Sequence, residues 1–328
     1  MLHNKRNGEI LAELDNYVDG HIEAKKALIS LVNRSKIRHH QKWIERIHKD
    51  YLIAPHKVLL IGQSGTGKTH LVESLQQLLD FPLIRLDATK LNPTGASGGV
   101  KEDDLRKQIW AKAKEWHEAR RGYYHSIDGT VDQMVVFIDE IDKIGKSFDS
   151  SGNWNAHVQS NFLTMFDNKA EFAGVSFIFA GAFTDITKHK SKATSIGFNP
   201  DERTIKSREE IDEQVVKAGL IPELVGRLTN IVELDKFTEQ DYYKILTERL
   251  IPAKLLELAF FNVFDSELDE DELKHMCKSA YNSGQGIRSL QRQLNKHYLD
   301  SEFDNEYKSH RARQLSLQPE DEGTNYEL

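Results

Sequence analysis

Apolar positions recur along this chain in two rhythms, one of helical period and one of short continuous runs. Ile10, Leu11 and Leu14, then Ile22, Ala24, Ala27, Leu28 and Leu31, return at helical spacing and are interrupted by Asp15-Asn16-Tyr17-Val18-Asp19-Gly20. Two helices joined by a turn follow, the second running to about Lys49. Val58 to Ile61 is a four-residue apolar run ending at Gly62, and Leu71, Val72, Leu75 and Leu79 then space an amphipathic helix opened by Gly67-Lys68-Thr69. Leu83 to Leu86 reads as a strand ending at Asp87, and Leu91 to Val100 as a loop holding Pro93, Gly95, Gly98 and Gly99. Leu105, Ile109, Ala113 and Trp116 space a helix, and Arg121 to Asp132 reads as an irregular connector. Met134 to Ile138 suits a strand buried on both faces and ends in Asp139-Glu140.

Further on, Val158, Phe162, Met165 and Phe166 predict a helix and Val175 to Ala180 a strand, so helices and strands alternate as in a wound parallel sheet. Lys188 to Glu213 is long, polar and charged, the profile of a functional or mobile loop. Leu220 to Leu234 returns to the core and closes with Ile231-Val232-Glu233-Leu234. Thr238 followed by Asp241 is an N-cap signature, and only helical patterns continue from there to about Tyr298. The organisation predicted is an α/β parallel-sheet domain over residues 1–235, a small all-helical domain over 236–300, and an acidic, disordered tail over 301–328.

Composition narrows the function classes. The 328 residues are 39% hydrophobic, enough for a sizeable core, and carry a net charge of −7 with a pI near 6.1. That balance gives no general attraction to nucleic acid, so a DNA-binding role is the minority reading. The longest apolar runs fall far short of the ~20 residues of a membrane span, and no hydrophobic core of a signal peptide follows Met1. Cys277 is the single cysteine, which excludes a disulfide framework or a cysteine-based zinc site and fits a reducing, cytoplasmic setting. Lys25, Lys26, Arg34, Lys36, Arg38 and Lys42 read as a solvated helix face, and His39-His40 as surface rather than metal ligands.

The candidate chemistry starts at Lys57 to His70. Gly62, Gln63, Ser64, Gly65, Thr66, Gly67, Lys68 and Thr69 fit G-x-x-x-x-G-K-[ST], followed by His70. Small residues there let successive main-chain N–H groups face a phosphate chain, and the following helix adds its positive dipole end. Lys68 is the point charge for the outer phosphates of ATP, and the Thr69 hydroxyl a ligand for Mg²⁺. Adjacent acids at the end of a buried strand complete this logic. Asp139 can hold Mg²⁺ through water, while Glu140 can orient and deprotonate the water that attacks the γ-phosphate. An apolar run ending in two acids is common by itself. Paired with Lys68 and Thr69 it reads as a nucleotide-hydrolysing site.

Seven segments now point to a named family: ELDNYVDGHIEAKKAL from Glu13, IGQSGTGKTHL from Ile61, LDATKL from Leu86, VVFIDEIDKI from Val135, AGAF from Ala180, GLIPELVGRL from Gly219 and GQGIRSL from Gly284. Their succession resembles the ClpX/HslU branch of the AAA+ ATPases over roughly Glu9 to Leu299. The resemblance implies an AAA+ P-loop domain followed by a small helical lid, ATP hydrolysis with Mg²⁺, and a homo-oligomeric, six-membered ring. It places Tyr17 and Val18 beside the adenine, with Asp19 and His21 departing from the apolar residue and glutamine usual there. It assigns Arg227 as the arginine finger for the neighbouring subunit's ATP and Arg288 as the sensor arginine of the small domain. On physical grounds alone either arginine could be a surface ion-pair partner.

The departures bear on substrate and partner. A cysteine-rich zinc domain and a long HslU-type insertion are absent, and only a short connector joins Phe166 to Val175. Ser195-Ile196-Gly197-Phe198 resembles the ClpX loop that docks on the ClpP peptidase, with an ordinary loop anchor as the alternative. Where relatives carry the channel motif Gly-Tyr-Val-Gly, this chain has Gly95-Ala96-Ser97-Gly98-Gly99-Val100, with no aromatic ring. Phe148 and Trp154, in the loop after the DEIDK segment, are the substitutes for grip, or else core residues. The leading expectation is an ATP-driven motor that remodels or unfolds protein substrates, partnered by a ClpP-like peptidase. A nucleotide-dependent assembly switch that does not thread polypeptide is the alternative, and a DNA-associated motor the third.

Overall fold

Five of the apolar runs become the strands of one parallel sheet in the computed structural model, which describes residues 5–91, 102–120, 126–145, 153–166, 171–184, 186, 207–260, 268–299 and 303. The strands are β1 (Lys57–Ile61), β2 (Leu83–Asp87), β3 (Val135–Asp139), β4 (Ser176–Gly181) and β5 (Asn230–Glu233), in the order β2-β3-β4-β1-β5. Every neighbouring pair is parallel. Side chains alternate between two cores, as a strand's period of two requires. Leu59, Ile61, Val136, Ile138, Phe177 and Phe179 face one core, and Val58, Leu60, Val135, Phe137, Ile178 and Ala180 the other. Burial on both faces explains the unbroken apolar runs.

The second of these cores is covered by α1 (Asn7–Asp15), α2 (Ile22–His39) and α3 (Lys68–Leu79), which contribute Ile10, Leu14, Leu28, Leu31, Leu71 and Leu75. The opposite core takes α4 (Glu102–Ala119), α5 (Ile127–Asp132), α6 (Asn153–Phe166), α7 (Arg208–Lys217) and α8 (Pro222–Val225). Phe177 and Phe179 stack at 6.0 Å, and the Phe166 and Phe162 rings meet them edge-on at 5.0 and 5.5 Å. Each such pair adds about 1 kcal/mol beyond burial. The chain leaves β1 toward β2 but leaves β4 toward β5. Two adjacent strands therefore send their connections opposite ways, and the crevice outside their carboxyl ends is where such sheets hold ligands.

Four readings of the pattern are corrected. The second helix ends as an α-helix at His39 and closes through a π turn over His40–Ile44, short of Lys49. Within the stretch read as an irregular connector, Ile127–Asp132 is helical, started by the Ser126 hydroxyl accepting from Gly129 N–H. Within the stretch read as a polar loop, Ser207 and Glu210 form a capping box that opens α7. The basic face of α2 is not all solvated: Lys25 is fully buried, and Arg38 and His39 are buried as well. Lys36 donates to the Leu79 carbonyl at 2.7 Å, and burial pushes its pKa down to about 8.

The chain divides into two compact units, Met1–Lys236 and Phe237–Leu328. In the second, Thr238 and Asp241 form a capping box at the start of α9 (Glu239–Ile245). A π turn over Leu246–Leu250 leads into α10 (Ile251–Ala259), and α11 (Glu270–Ser283) ends at Gly284, whose φ of 65° suits a glycine cap. Residues 287–299 form α12. Tyr242, Leu246, Leu258, Met276, Ala280, Leu290, Leu294 and Tyr298 make a separate core with Cys277, whose thiol burial pushes up to about 11. A thiol held protonated in that way is inert. Of the tail from Ser301, all but residue 303 lies outside the described residues.

Candidate functional site

The glycine loop leaves β1 at the crevice between β1 and β4. Gly62 N–H donates to the Gly181 carbonyl at 3.1 Å, closing the ladder between those strands. A Cβ on Gly62 would lie 2.8 Å from the Thr66 hydroxyl, which itself donates to the Gln63 carbonyl at 2.9 Å. Gly65 and Gly67 take φ values of 79° and 90°, conformations that cost a glycine little. Gly67 is the N-cap of α3 and supplies no side-chain cap. The leading N–H groups of that helix are thus unclaimed by a capping side chain, an arrangement suited to an anion. Lys68 Nζ donates to the Gly62 and Gln63 carbonyls at 2.5 and 3.0 Å, which holds its charge on the loop. Ser64 is exposed beside it.

The acidic strand end is brought to the same loop. Thr69 Oγ1 donates to Asp139 Oδ2 at 2.9 Å, and Asp139 Oδ1 accepts from Glu140 N–H at 2.9 Å. Glu140 is exposed and has a φ of 57°, a left-handed conformation that a non-glycine residue keeps only when its surroundings fix it. No group of three or more histidine, cysteine or acidic side chains is gathered as a metal cage among the described residues. The Thr69 hydroxyl and Asp139 carboxylate instead offer hard oxygen ligands beside a phosphate cradle, which is how Mg²⁺ is usually held.

The turn between α1 and α2 flanks the loop. Tyr17 is 46% exposed and Val18 is buried. His70 Nε2 lies 3.2 Å from the Tyr17 carbonyl, while buried Lys25 donates to the Val18 carbonyl and to Asp15 Oδ1, both at 2.5 Å. His21 is also buried. Its ring reaches the Thr66 carbonyl and the Asp235 main chain, and burial lowers its pKa below 6.5, against the opposing pull of Asp235.

Arg227 is placed differently. Thr229 N–H donates to the Lys57 carbonyl at 2.7 Å and Lys57 N–H to Thr229 Oγ1 at 3.1 Å, so the segment after Arg227 is bound to the start of β1. Arg227 is exposed, and its charge helps lower the pKa of Lys57, second to burial. It therefore stands at the amino edge of the sheet, about 15 Å along β1 from its own phosphate loop. Among the described residues no carboxylate pairs with it. Arg288 is exposed in the first turn of α12 in the second unit.

Three residues that the pattern did not single out hold these loops. Asp142 Oδ1 accepts from Ala182 N–H at 3.1 Å, joining the loop after β3 to the loop after β4. Buried Gln159 on α6 donates to the Ile144 and Gly219 carbonyls at 3.3 and 3.1 Å and accepts from Ile221 N–H at 2.7 Å. Beside it Gly145 and Gly219 approach main chain to main chain, and a Cβ on Gly219, at φ 110°, would overlap the Gly145 carbonyl. Arg208 donates to the Leu228 and Thr229 carbonyls at 3.1 and 3.4 Å. Gly95 to Val100, Phe148, Ser195 to Phe198 and the Trp154 side chain lie outside the described residues. Among the described residues no helix is long and apolar enough to cross a membrane.

Known proteins carry the same arrangement of sequence. The model of the AAA domain (Cdc48 subfamily) matches residues 55–231. The chain is 29% identical to the ATP-dependent Clp protease ATP-binding subunit ClpX of Treponema denticola, across 90% of this chain and 76% of that protein. It is 27% identical to the ATP-dependent Clp protease ATP-binding subunit ClpX 2 of Wolinella succinogenes, across 88% of this chain and 75% of the relative.

Proposed function

Because the chain belongs to the AAA domain family of the Cdc48 subfamily, as a ClpX-type AAA+ ATPase, we propose that it hydrolyses ATP as a six-membered ring to remodel protein substrates. In this reading the N–H groups of Gly62 to Thr69 bind the phosphates and Lys68 neutralises the outer ones. Thr69 and Asp139 hold Mg²⁺, which supplies positive charge at the phosphate oxygens when bound. Glu140 orients the attacking water and takes its proton. Tyr17, Val18 and His70 flank the base, and Arg288 serves as the small domain's sensor of the phosphates. The observation that carries the ring is the position of Arg227. It lies at the opposite edge of the sheet from its own loop, and in this reading it serves a neighbouring copy's ATP. ATPase activity and unfolding of a tagged model protein, assayed side by side with the mass of the assembly in MgATP, test the proposal. Hydrolysis by a monomer would end it.

Both relatives are named as subunits of an ATP-dependent protease. For this chain, Ile196-Gly197-Phe198 is the segment proposed to dock on a ClpP-like peptidase. Truncating such an apolar anchor costs about 2 kcal/mol or more, so Phe198→Ala should abolish co-purification with the peptidase and leave ATPase intact. A second reading has its own observation: Gly95 to Val100 lacks an aromatic ring. At ~25 cal/mol per Å² the missing contact amounts to a few kcal/mol per engaged subunit. A grip that weak favours limited remodelling or an assembly switch over processive unfolding. Ala96→Tyr should then strengthen unfolding of a stable domain, and Phe148→Ala with Trp154→Ala should remove what grip the wild type has. ATPase rates are the control.

A further inference from the structure

His21 connects three separate parts of the sequence. Its main-chain N–H donates to Asp235 Oδ2 at 2.6 Å, its Nδ1 lies 3.0 Å from Asp235 N–H, and its Nε2 lies 2.9 Å from the Thr66 carbonyl. The partners settle the tautomer. A main-chain N–H can only donate, so Nδ1 is bare, and a carbonyl can only accept, so Nε2 carries the hydrogen. The side chain is wholly buried, and the residue holds a left-handed φ of 57°. The Thr66 carbonyl shares a planar trans peptide with Gly67 N–H, so the two point in opposite directions. Fixing the carbonyl on His21 therefore fixes the direction of Gly67 N–H, which points away from His21. The same ring holds Asp235, two residues before the helical unit begins.

We propose that His21 is a positioning residue that orients the Gly67 N–H toward phosphate and links occupancy of the loop to the Asp235 segment. The inference rests on reading Gly62 to Thr69 as the nucleotide site. Glutamine, usual at this position in the family that the sequence resembles, offers the same donor and acceptor without a titrating ring. Alanine offers neither. Protonation of Nδ1 would set a hydrogen against Asp235 N–H and break that bond. The groups facing the ring divide: burial and Lys25 oppose the cation, while the Asp235 and Asp19 carboxylates and the Thr66 carbonyl favour it.

The test follows MgATP affinity and hydrogen exchange at the Asp235 amide, with and without MgATP, in the wild type, His21→Ala and His21→Gln. MgATP should slow exchange at Asp235 in the wild type by roughly tenfold. His21→Ala should bind MgATP roughly tenfold more weakly and lose the slowing, and His21→Gln should restore both. On acidification below the ordinary imidazole range, the wild type should lose the slowing as Nδ1 takes up its proton, and His21→Gln should keep it. Because both proteins see the same nucleotide titration, the difference belongs to the ring. Wild-type affinity and wild-type slowing in His21→Ala would overturn the inference. Should His21→Ala not fold, binding of MgATP by the wild type with no change in Asp235 exchange would overturn it instead. Failure of the wild type to bind MgATP at all would remove the site reading and this inference with it.

Discussion

Lys68 and Glu140 come from different elements, and in the proposed reaction they act on different atoms, so their substitutions should separate. Lys68→Ala should remove most MgATP binding, whereas Glu140→Gln should bind normally and hydrolyse roughly 10² to 10³-fold more slowly. Equilibrium binding and steady-state turnover on the same preparations check this, and parental turnover in Glu140→Gln would exclude it as the base. His56 makes a second prediction. Burial, with Arg34 and Lys57 nearby, pushes its pKa down to about 4 from the ordinary 6.5. The unfolded chain takes up that proton first. Stability is therefore intact above pH 6.5, falls as the pH drops from there, and levels off near pH 4, where the folded form also protonates. An imidazole resonance titrating near pH 4, and an acid limb of stability flattened by His56→Phe, would bear this out.

At the scale of elements, Gln159 is the test of how the loops are held. Gln159→Leu would strand the Ile144 and Gly219 carbonyls and the Ile221 N–H. Leaving such groups buried should cost about 3 kcal/mol in all, measurable by urea unfolding. Parental stability would mean that water replaces the amide. The same elements show what the sequence makes legible. The glycine loop and the acids after β3 are read from adjacent residues, because their chemistry is local. The joints made by Gln159, Asp142 and His21 join residues far apart in the chain, and no spacing rule reaches across such distances. Lys25 was hidden for another reason: a lysine on a helix reads as solvated until the carbonyl and carboxylate that receive it are in view. Ser207 and Glu210 spell a capping box, but the surrounding polar stretch masked it.

For the whole molecule, the proposed ring makes the sharing of sites the decisive quantity. Arg227→Ala should keep nucleotide binding and lose about 10³-fold or more in hydrolysis. Mixed with Glu140→Gln subunits it should regain part of the activity, because some interfaces then combine an intact base with an intact finger. Absence of rescue in verified mixed rings would argue for sites that act alone. The parallel sheet was legible at this scale, since runs buried on both faces leave few alternatives. The strand order was not. That Arg227 stands at the amino edge and Gly62 at the carboxyl edge follows from β5 lying beside β1, a long-range pairing that only the fold supplies.

The meeting of Gly145 and Gly219 bears on which sequences this fold can tolerate. Both partners are main chain, so no second substitution nearby can make room for a side chain, as a smaller neighbour would in an ordinary core. Gly219 also holds a φ of 110°, closed to other residues even with space to spare. Saturation mutagenesis with selection for folded protein should return glycine alone at 219 and very few alternatives at 145, however freely α6 around them varies.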